Sequence, residues 1–236
     1  VFSPFGDITT LMVWQSGHVE FTQFFSLFVP ALVTYLVPTV VMSFFVPKGV
    51  PLPTKDCTLM TRGARRTIFL GIVTITMAVA FEQFLGLPPF MGMMMGMSLL
   101  MFLTYYLRRT RVDTEPQYDI FEAVRAAEWD TLLFFFGVMF SVGALTFIGY
   151  MGLASHYLYG TLGATQTNAI LGTVSAVIDN IPVMFSVLSM QPKMGVNQWL
   201  LITLTCGVGG SLLSVGSAAG VALMGSAKGQ YTFLGH

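Results

Sequence analysis

The sequence predicts an all-α polytopic membrane protein, and three observations carry that fold class. Hydrophobic residues make up 54% of the 236 positions and charged residues only 9%, against roughly 25% charged in soluble domains. The charges are also segregated, since no Asp, Glu, Lys or Arg lies between Glu20 and Lys48, Glu82 and Arg108, Asp130 and Asp179, or Lys193 and Lys228. The 16 Met, 21 Phe and 24 Gly suit helices packed in lipid, where small residues let backbones approach. A formal net charge of zero gives no sign of nucleic acid or another strongly charged partner.

A helix needs about 20 apolar residues to cross the hydrocarbon core, which places spans near 21–46, 66–87, 90–107 and 130–150. Pro30 and Pro38 fall inside the first span and predict kinks of a kind that neighbouring helices tolerate in a membrane. Pro88 and Pro89 divide the Met-rich stretch into two helices joined by a tight turn. A long region of about 165–227 is too rich in Gly, Ser and Thr for simple straight helices.

Orientation follows from the basic residues. The 47–66 loop carries Lys48, Lys55, Arg62, Arg65 and Arg66 against Asp56, and the 108–128 loop carries Arg108, Arg109, Arg111 and Arg125. Both loops flank one two-helix hairpin and so share a side, and their Lys/Arg content predicts that this side is the cytoplasm. The stretch from Asp119 to Asp130, with Phe121, Val124 and Trp129, reads as an interfacial amphipathic segment with a solvated charged face. Cys57 in the loop and Cys206 in a membrane segment make no disulfide framework in a reducing compartment. Val1 is preceded by no signal peptide, and the chain stops at His236 just as Lys228 to Tyr231 begin a loop. An internal portion of a longer transporter is therefore expected.

Polar residues inside the membrane carry the functional signal. Asp179 and Asn180 precede Ile181-Pro182 in an otherwise apolar segment. An intramembrane carboxylate is costly and generally marks an ion or proton pathway, while Pro182 interrupts the helix and frees carbonyl oxygens. The plainer reading, compatible with the first, is that Asp179 caps a helix starting at Ile181–Pro182. Downstream, Gly207, Gly209, Gly210, Gly216 and Gly220 alternate with Ser211, Ser214 and Ser217. Unwound backbone at membrane depth survives only where it lines a cavity or is buried in protein. There, carbonyls and hydroxyls supply hard oxygen ligands for a small cation; ordinary small-residue packing is the alternative.

The opening run from Ser3 to Thr10 is of the same type. Gly6-Asp7-Ile8-Thr9-Thr10-Leu11-Met12 can be laid against Gly216-Ser217-Ala218-Ala219-Gly220-Val221-Ala222, with Ser3 and Ser214 shortly before each glycine. Matching interrupted segments in two halves point to an inverted-repeat transporter with a site near the midplane. Asp7 supplies the second intramembrane carboxylate, with a helix cap as its plain alternative.

The run from Ser3-Pro4-Phe5-Gly6-Asp7 through Trp14, the Asp179-Asn180-Ile181-Pro182 turn, and Gly209-Gly210-Ser211-Leu212-Leu213-Ser214 through Met224 resemble the NhaD-type sodium/proton antiporters of the ion transporter superfamily. Glu128-Trp129-Asp130-Thr131-Leu132-Leu133-Phe134-Phe135 also looks like the beginning of a helix in that superfamily, and the resemblance covers nearly the whole chain. It implies two inverted repeats, each with a re-entrant hairpin and a broken helix, working by elevator-like alternating access, often as a homodimer. On that mapping 1–46 ends the first repeat, 47–66 is a cytoplasmic loop, and 67–236 is the second repeat, with its hairpin at about 165–190 and its broken helix at about 197–227. The first hairpin, the helices before it and the closing helix are not expected in this sequence. The resemblance implies cation and proton binding by Ser3, Asp7, Thr9, Thr10, Asp179, Asn180, Ser211, Ser214 and Ser217, with sodium held by Asp7 and Asp179 as transported substrate rather than cofactor.

Glu82, Gln83, His18 and Glu20 read as interfacial, with His18 able to titrate near neutral pH, and His156 as lying on the outer side after the 130–150 span. Three scattered histidines give no metal-site spacing. No nucleotide loop or nucleophile elbow occurs, so the chain reads as a transporter rather than an enzyme, driven by an ion gradient. The expected partners are sodium or lithium ions, protons and the lipid bilayer, in a bacterial inner membrane or an organelle envelope. Two alternatives stand beside antiport. A sodium-coupled carboxylate transporter of the same superfamily would favour neutral groups over Asp179 at the hairpin tip. An intramembrane aspartyl protease would also use two aspartates, but Pro4 occupies the first glycine position of its usual Gly-x-Gly-Asp signature.

Overall fold

The structure is a computed structural model and describes residues 1–45, 63–110, 125 and 129–213. It contains two compact units, Val1–Pro47 with Trp129–His236, and Lys48–Glu128. Every regular element among the described residues is helical, as the composition predicts.

The larger unit opens with a short helix, α1 (Ile8–Gln15). It begins where it does because Asp7 is extended and its Oδ1 accepts the Ile8 N–H at 2.8 Å, which satisfies one of the orphan donors of the first turn. It stops at Ser16 and Gly17, whose φ of 74° favours glycine. A 3₁₀ helix, Phe21–Leu27, then runs into α2 (Phe28–Ser43), and Phe21–Ser43 is long and apolar enough to cross a membrane. Pro30 sits at the third position of α2, where its missing N–H would have had no intrahelical partner. No residue of α2 is buried in the protein. Its exposed Val29, Val33, Val37 and Val41 make a surface that suits lipid rather than water. His18, expected at the interface, stacks its ring on Trp199 at a centroid distance of 4.1 Å.

The smaller unit is a helical hairpin of α3 (Ala64–Leu85) and α4 (Pro89–Arg109), each long and apolar enough to span a membrane. Gly86 ends α3 with φ 61°, and Pro89 opens α4 at its first position, the usual division of labour between the two residue types. The turn is the one predicted from Pro88 and Pro89. A Cβ on Gly92 would overlap the Ala78 backbone, and one on Gly96 would overlap the Thr74 side chain. The two helices therefore approach at glycine distance, which dispersion rewards in lipid. The hairpin carries Arg65 and Arg66 at the start of one helix and Arg108 and Arg109 at the end of the other. The 47–62 and 111–124 stretches of the basic loops, Cys57 included, lie outside the described residues.

The larger unit resumes with α5 (Trp129–Phe147) and α6 (Tyr150–Thr161), which meet at an 83° bend. His156, expected after the 130–150 span, lies within α6. The bend rests on Gly149 at φ 94°, a conformation that composition does not announce. Next come α7 (Ala164–Val174), α8 (Asn180–Met190) and α9 (Val196–Gly209). At 1.5 Å per residue the 11-residue α7 and α8 are each about 16 Å long, short of the roughly 30 Å hydrocarbon core. They form a helix–turn–helix over the residues where the hairpin is predicted.

The helix α8 packs against α1, α5, α6 and α9 and buries Ile181, Val183, Met184 and Val187, while α9 buries Trp199, Leu200, Ile202, Thr203 and Cys206. Glycine sets the contact of α7 with α9. A Cβ on Gly172 would run into Thr205, and one on Gly209 into the Gly172 carbonyl oxygen and the Ser175 side chain. Beside these glycines lies a buried polar hub. Asn168, fully buried, accepts from Tyr159 Oη at 3.0 Å and donates through Nδ2 to the Gln198 carbonyl at 2.9 Å. Its own carbonyl accepts from Thr205 Oγ1 at 3.0 Å. Side-chain hydrogen bonds between helices replace the hydrophobic drive that lipid cannot supply.

Candidate ion site at two helix breaks

Asp7 stands at the centre of the site. Its Oδ1 accepts the Ile8 N–H, and its Oδ2 accepts both Thr9 Oγ1 at 2.5 Å and Asn180 Nδ2 at 3.1 Å. The last bond crosses 173 positions of sequence and ties the start of α1 to the start of α8. Asp7 and Asn180 are both half-buried, while Thr9 is completely enclosed.

Thr10 holds the break itself together. Its buried hydroxyl lies 3.0 Å from the Ser3 carbonyl, 3.1 Å from that of Pro4 and 2.6 Å from that of Asp7. The Ser3 carbonyl also accepts the Gly6 N–H at 2.9 Å and the Asp7 carbonyl the Leu11 N–H at 3.2 Å, so the hydroxyl adds to backbone bonds that satisfy buried polar groups where the chain turns into the helix. Ser3 contributes its carbonyl to this knot, and its Oγ accepts the Phe5 N–H at 3.4 Å.

Asp179 occupies the N-cap position of α8, so the plain reading holds for its place in the backbone. Its side chain makes no capping hydrogen bond; it faces the N–H groups of Asn180 and Ile181 and lies within electrostatic range of Asp7. Two carboxylates and the positive ends of two short helices therefore converge in one unit. The third wall is α9. A Cβ on Gly207 would crowd the Val1 side chain at 2.9 Å and stand 3.7 Å from Asp7 Oδ2, an ordinary contact, so α9 passes directly beside the carboxylate. Ser175 Oγ, fully buried, donates to the Cys206 carbonyl at 3.1 Å and pins the start of the hairpin turn to the same helix.

Of the predicted residues, Asp7, Thr9, Thr10, Asp179, Asn180 and the Ser3 carbonyl come together here. Ser211 is exposed just beyond the end of α9, where its Oγ donates to the Val208 carbonyl at 2.7 Å. Ser214 and Ser217, with the rest of the expected break to residue 227, lie outside the described residues. The predicted stop at the glycines is visible, for α9 ends at Gly209 with Gly210 as its cap. Sequence reasoning passed over Ser175 and the Asn168 hub. The available signal was an Asn, a Gln and several Thr in apolar helices, where polar groups seek partners in neighbouring helices.

Among the described residues no cluster of three His, Cys, Asp or Glu forms a metal site. The donor set is of another kind: carboxylate, hydroxyl and carbonyl oxygens at interrupted helices, the chemistry that transporters use for small monovalent cations.

Residues 1–207 match the family described as Citrate transporter. The chain is 51% identical to the Na(+)/H(+) antiporter NhaD of Vibrio cholerae, over the whole of this chain and 54% of that protein. It is 50% identical to the Na(+)/H(+) antiporter NhaD of Vibrio parahaemolyticus, again over its whole length and 62% of the relative. Sodium/proton antiporter 2 of Arabidopsis thaliana is 32% identical over 96% of this chain and 57% of its own length. The chain thus spans little more than half the length of these curated relatives. No solved structure matches it.

Proposed function

The chain belongs to the citrate transporter family, and from that premise we propose that it takes part in secondary active sodium/proton antiport across a membrane by alternating access. The observation that carries this reading is the hydrogen bond from Asn180 to Asp7. It joins two interrupted segments, each with a carboxylate, as inverted-repeat transporters do at their ion sites. The NhaD antiporters among its relatives, at 50–51% identity, supply the cation and the proton as substrates.

The chemistry is competition. An ionised carboxylate at Asp7 or Asp179 attracts sodium or lithium, with Thr9 and neighbouring carbonyls as further oxygen ligands. A protonated carboxylate carries no charge and releases the cation. One site that holds a cation or a proton, never both, yields exchange if it crosses the membrane only when loaded. In this reading α7 and α8 form a re-entrant hairpin, 1–46 closes a first repeat, and 67–236 is a second. The site moves elevator-fashion in a homodimer within a bacterial inner membrane.

The family's description favours a second reading, sodium-coupled transport of a carboxylate such as citrate. Reconstituted vesicles separate the two. Antiport predicts proton release driven by sodium or lithium but not by potassium, without added organic anion. Sodium-stimulated citrate uptake with no proton exchange would overturn it.

A further inference from the structure

We propose that one face of the α3–α4 hairpin is a binding site for an anionic phospholipid. The lipid phosphate sits on Arg66, and one acyl chain lies in the groove between the two helices. The site is independent of the exchange chemistry proposed above and needs only the membrane setting that the family and the apolar spans supply.

Glycine contacts fix the register of the hairpin. Gly63 meets Leu107, Gly96 meets Thr74 and Gly92 meets Ala78. Each pair keeps the same sum of positions, so Arg66 stands level with Thr104, and Leu99 with Gly71. On α3 the groove is lined by Arg66, Phe69 and Leu70, and on α4 by Leu99, Phe102, Leu103 and Tyr106. Both sets follow the three- and four-residue spacing of a single helix face, and they bound a volume of about 350 Å³. Arg66 and Tyr106 lie at the basic end, and the other lining side chains are apolar. From Tyr106 to Leu99 the groove runs roughly 10 Å at 1.5 Å per residue. One leaflet contributes about 15 Å to a hydrocarbon core of about 30 Å, so the groove ends within it.

Apolar fit alone would not choose an occupant, because lipid tails are as apolar as the groove and supply no hydrophobic drive. Charge makes the selection. Arg65, Arg66 and Arg109 are exposed at the basic end, with Arg108 beside them. Glu82, the one acid between residues 63 and 110, belongs to the last turn of α3 at the opposite end. A guanidinium holds a phosphate through paired N–H bonds, and its apolar stem can follow the groove while the head reaches the interface. The exposed Tyr106 phenol offers a second donor. A zwitterionic headgroup carries the same phosphate but brings its own cation among the arginines, so an anionic headgroup is preferred. Basic pockets between membrane helices bind anionic headgroups in this way. Phe69 and Phe102, 67% and 69% exposed, wall the groove on either side and leave it open to a chain arriving from the bilayer.

Photo-crosslinking tests the site in the full-length protein, reconstituted in phosphatidylcholine vesicles. Two probes are compared, phosphatidylglycerol and phosphatidylcholine, each with a photoreactive group on one acyl chain, and the labelled peptides are mapped. Phosphatidylglycerol should label residues 69–70 and 99–103 in preference to phosphatidylcholine. Arg66→Gln should lower that preference about fivefold, equivalent to the roughly 1 kcal/mol that a basic residue contributes near an anionic surface. Arg66→Lys should keep part of it. Leu99→Trp, which fills the groove, should reduce labelling there by both probes. Equal labelling by the two probes in the parent protein, or an undiminished preference in Arg66→Gln, would mean ordinary boundary lipid and overturn the site. No label in the groove from either probe would mean that another helix or a second copy covers it, and overturns the site as well. The parent protein supplies two of these tests alone if a variant fails to fold. Sodium/proton exchange is not read, so failure of the antiport reading leaves the lipid site standing.

Discussion

Gly209 meets the carbonyl oxygen of Gly172 so closely that a Cβ on Gly209 would overlap it. The obstacle is backbone, not the tip of a flexible side chain, so α9 or α7 would have to move to admit even a methyl group. Replacing Gly209 and Gly210 with Leu should therefore stop transport while leaving membrane insertion intact, and Gly209→Ala alone should impair it. Exchange assays beside a surface-expression measurement check this; normal exchange by the double variant would mean that the close contact is dispensable.

Thr10 offers a cleaner separation of scaffold from site. Thr10→Val preserves shape but leaves the Ser3, Pro4 and Asp7 carbonyls without their shared donor. The Ser3 and Asp7 carbonyls keep the Gly6 and Leu11 N–H groups, so the expected loss is about 1 kcal/mol, the net worth of one hydrogen bond. Thr10→Ser should restore most of it. Thermal unfolding in detergent reads both, and an unchanged midpoint for Thr10→Val would contradict the role assigned to this hydroxyl.

Sodium binding should depend on pH in one direction only. Protonation removes the carboxylate charge, so lowering the pH must weaken sodium affinity, and raising it must strengthen affinity until the carboxylates are fully ionised. Asp179→Asn should abolish proton release on sodium addition, because an amide of similar shape exchanges no proton, and Asp7→Asn should behave alike if the two act together. Calorimetry on purified protein at several pH values is the measurement. A flat affinity in the parent protein, or proton release by Asp179→Asn, is incompatible with carboxylate exchange.

The predicted topology rests on Lys and Arg counts and can be read through Cys57. An impermeant thiol reagent added outside intact cells should leave Cys57 unlabelled, and the same reagent should label it in inverted vesicles. Labelling from outside would reverse the orientation.

By itself the sequence determined the membrane class, three of the four expected spans and the identity of the charged groups at the breaks. The hydrocarbon thickness sets span length, and an isolated carboxylate in an apolar run is costly wherever it sits. Pro88-Pro89 and the glycines at 209–210 act through local backbone chemistry, so their turn and stop were legible too. Tertiary structure decided what local patterns leave open. Nothing in the neighbourhood of Asn180 names Asp7 as its acceptor, because the 173 positions between them are spanned only when α1 packs on α8. The 83° bend at Gly149 and the buried Asn168 hub escaped for the same reason: a positive φ and a polar cluster become favourable only once neighbouring helices supply the partners that lipid withholds.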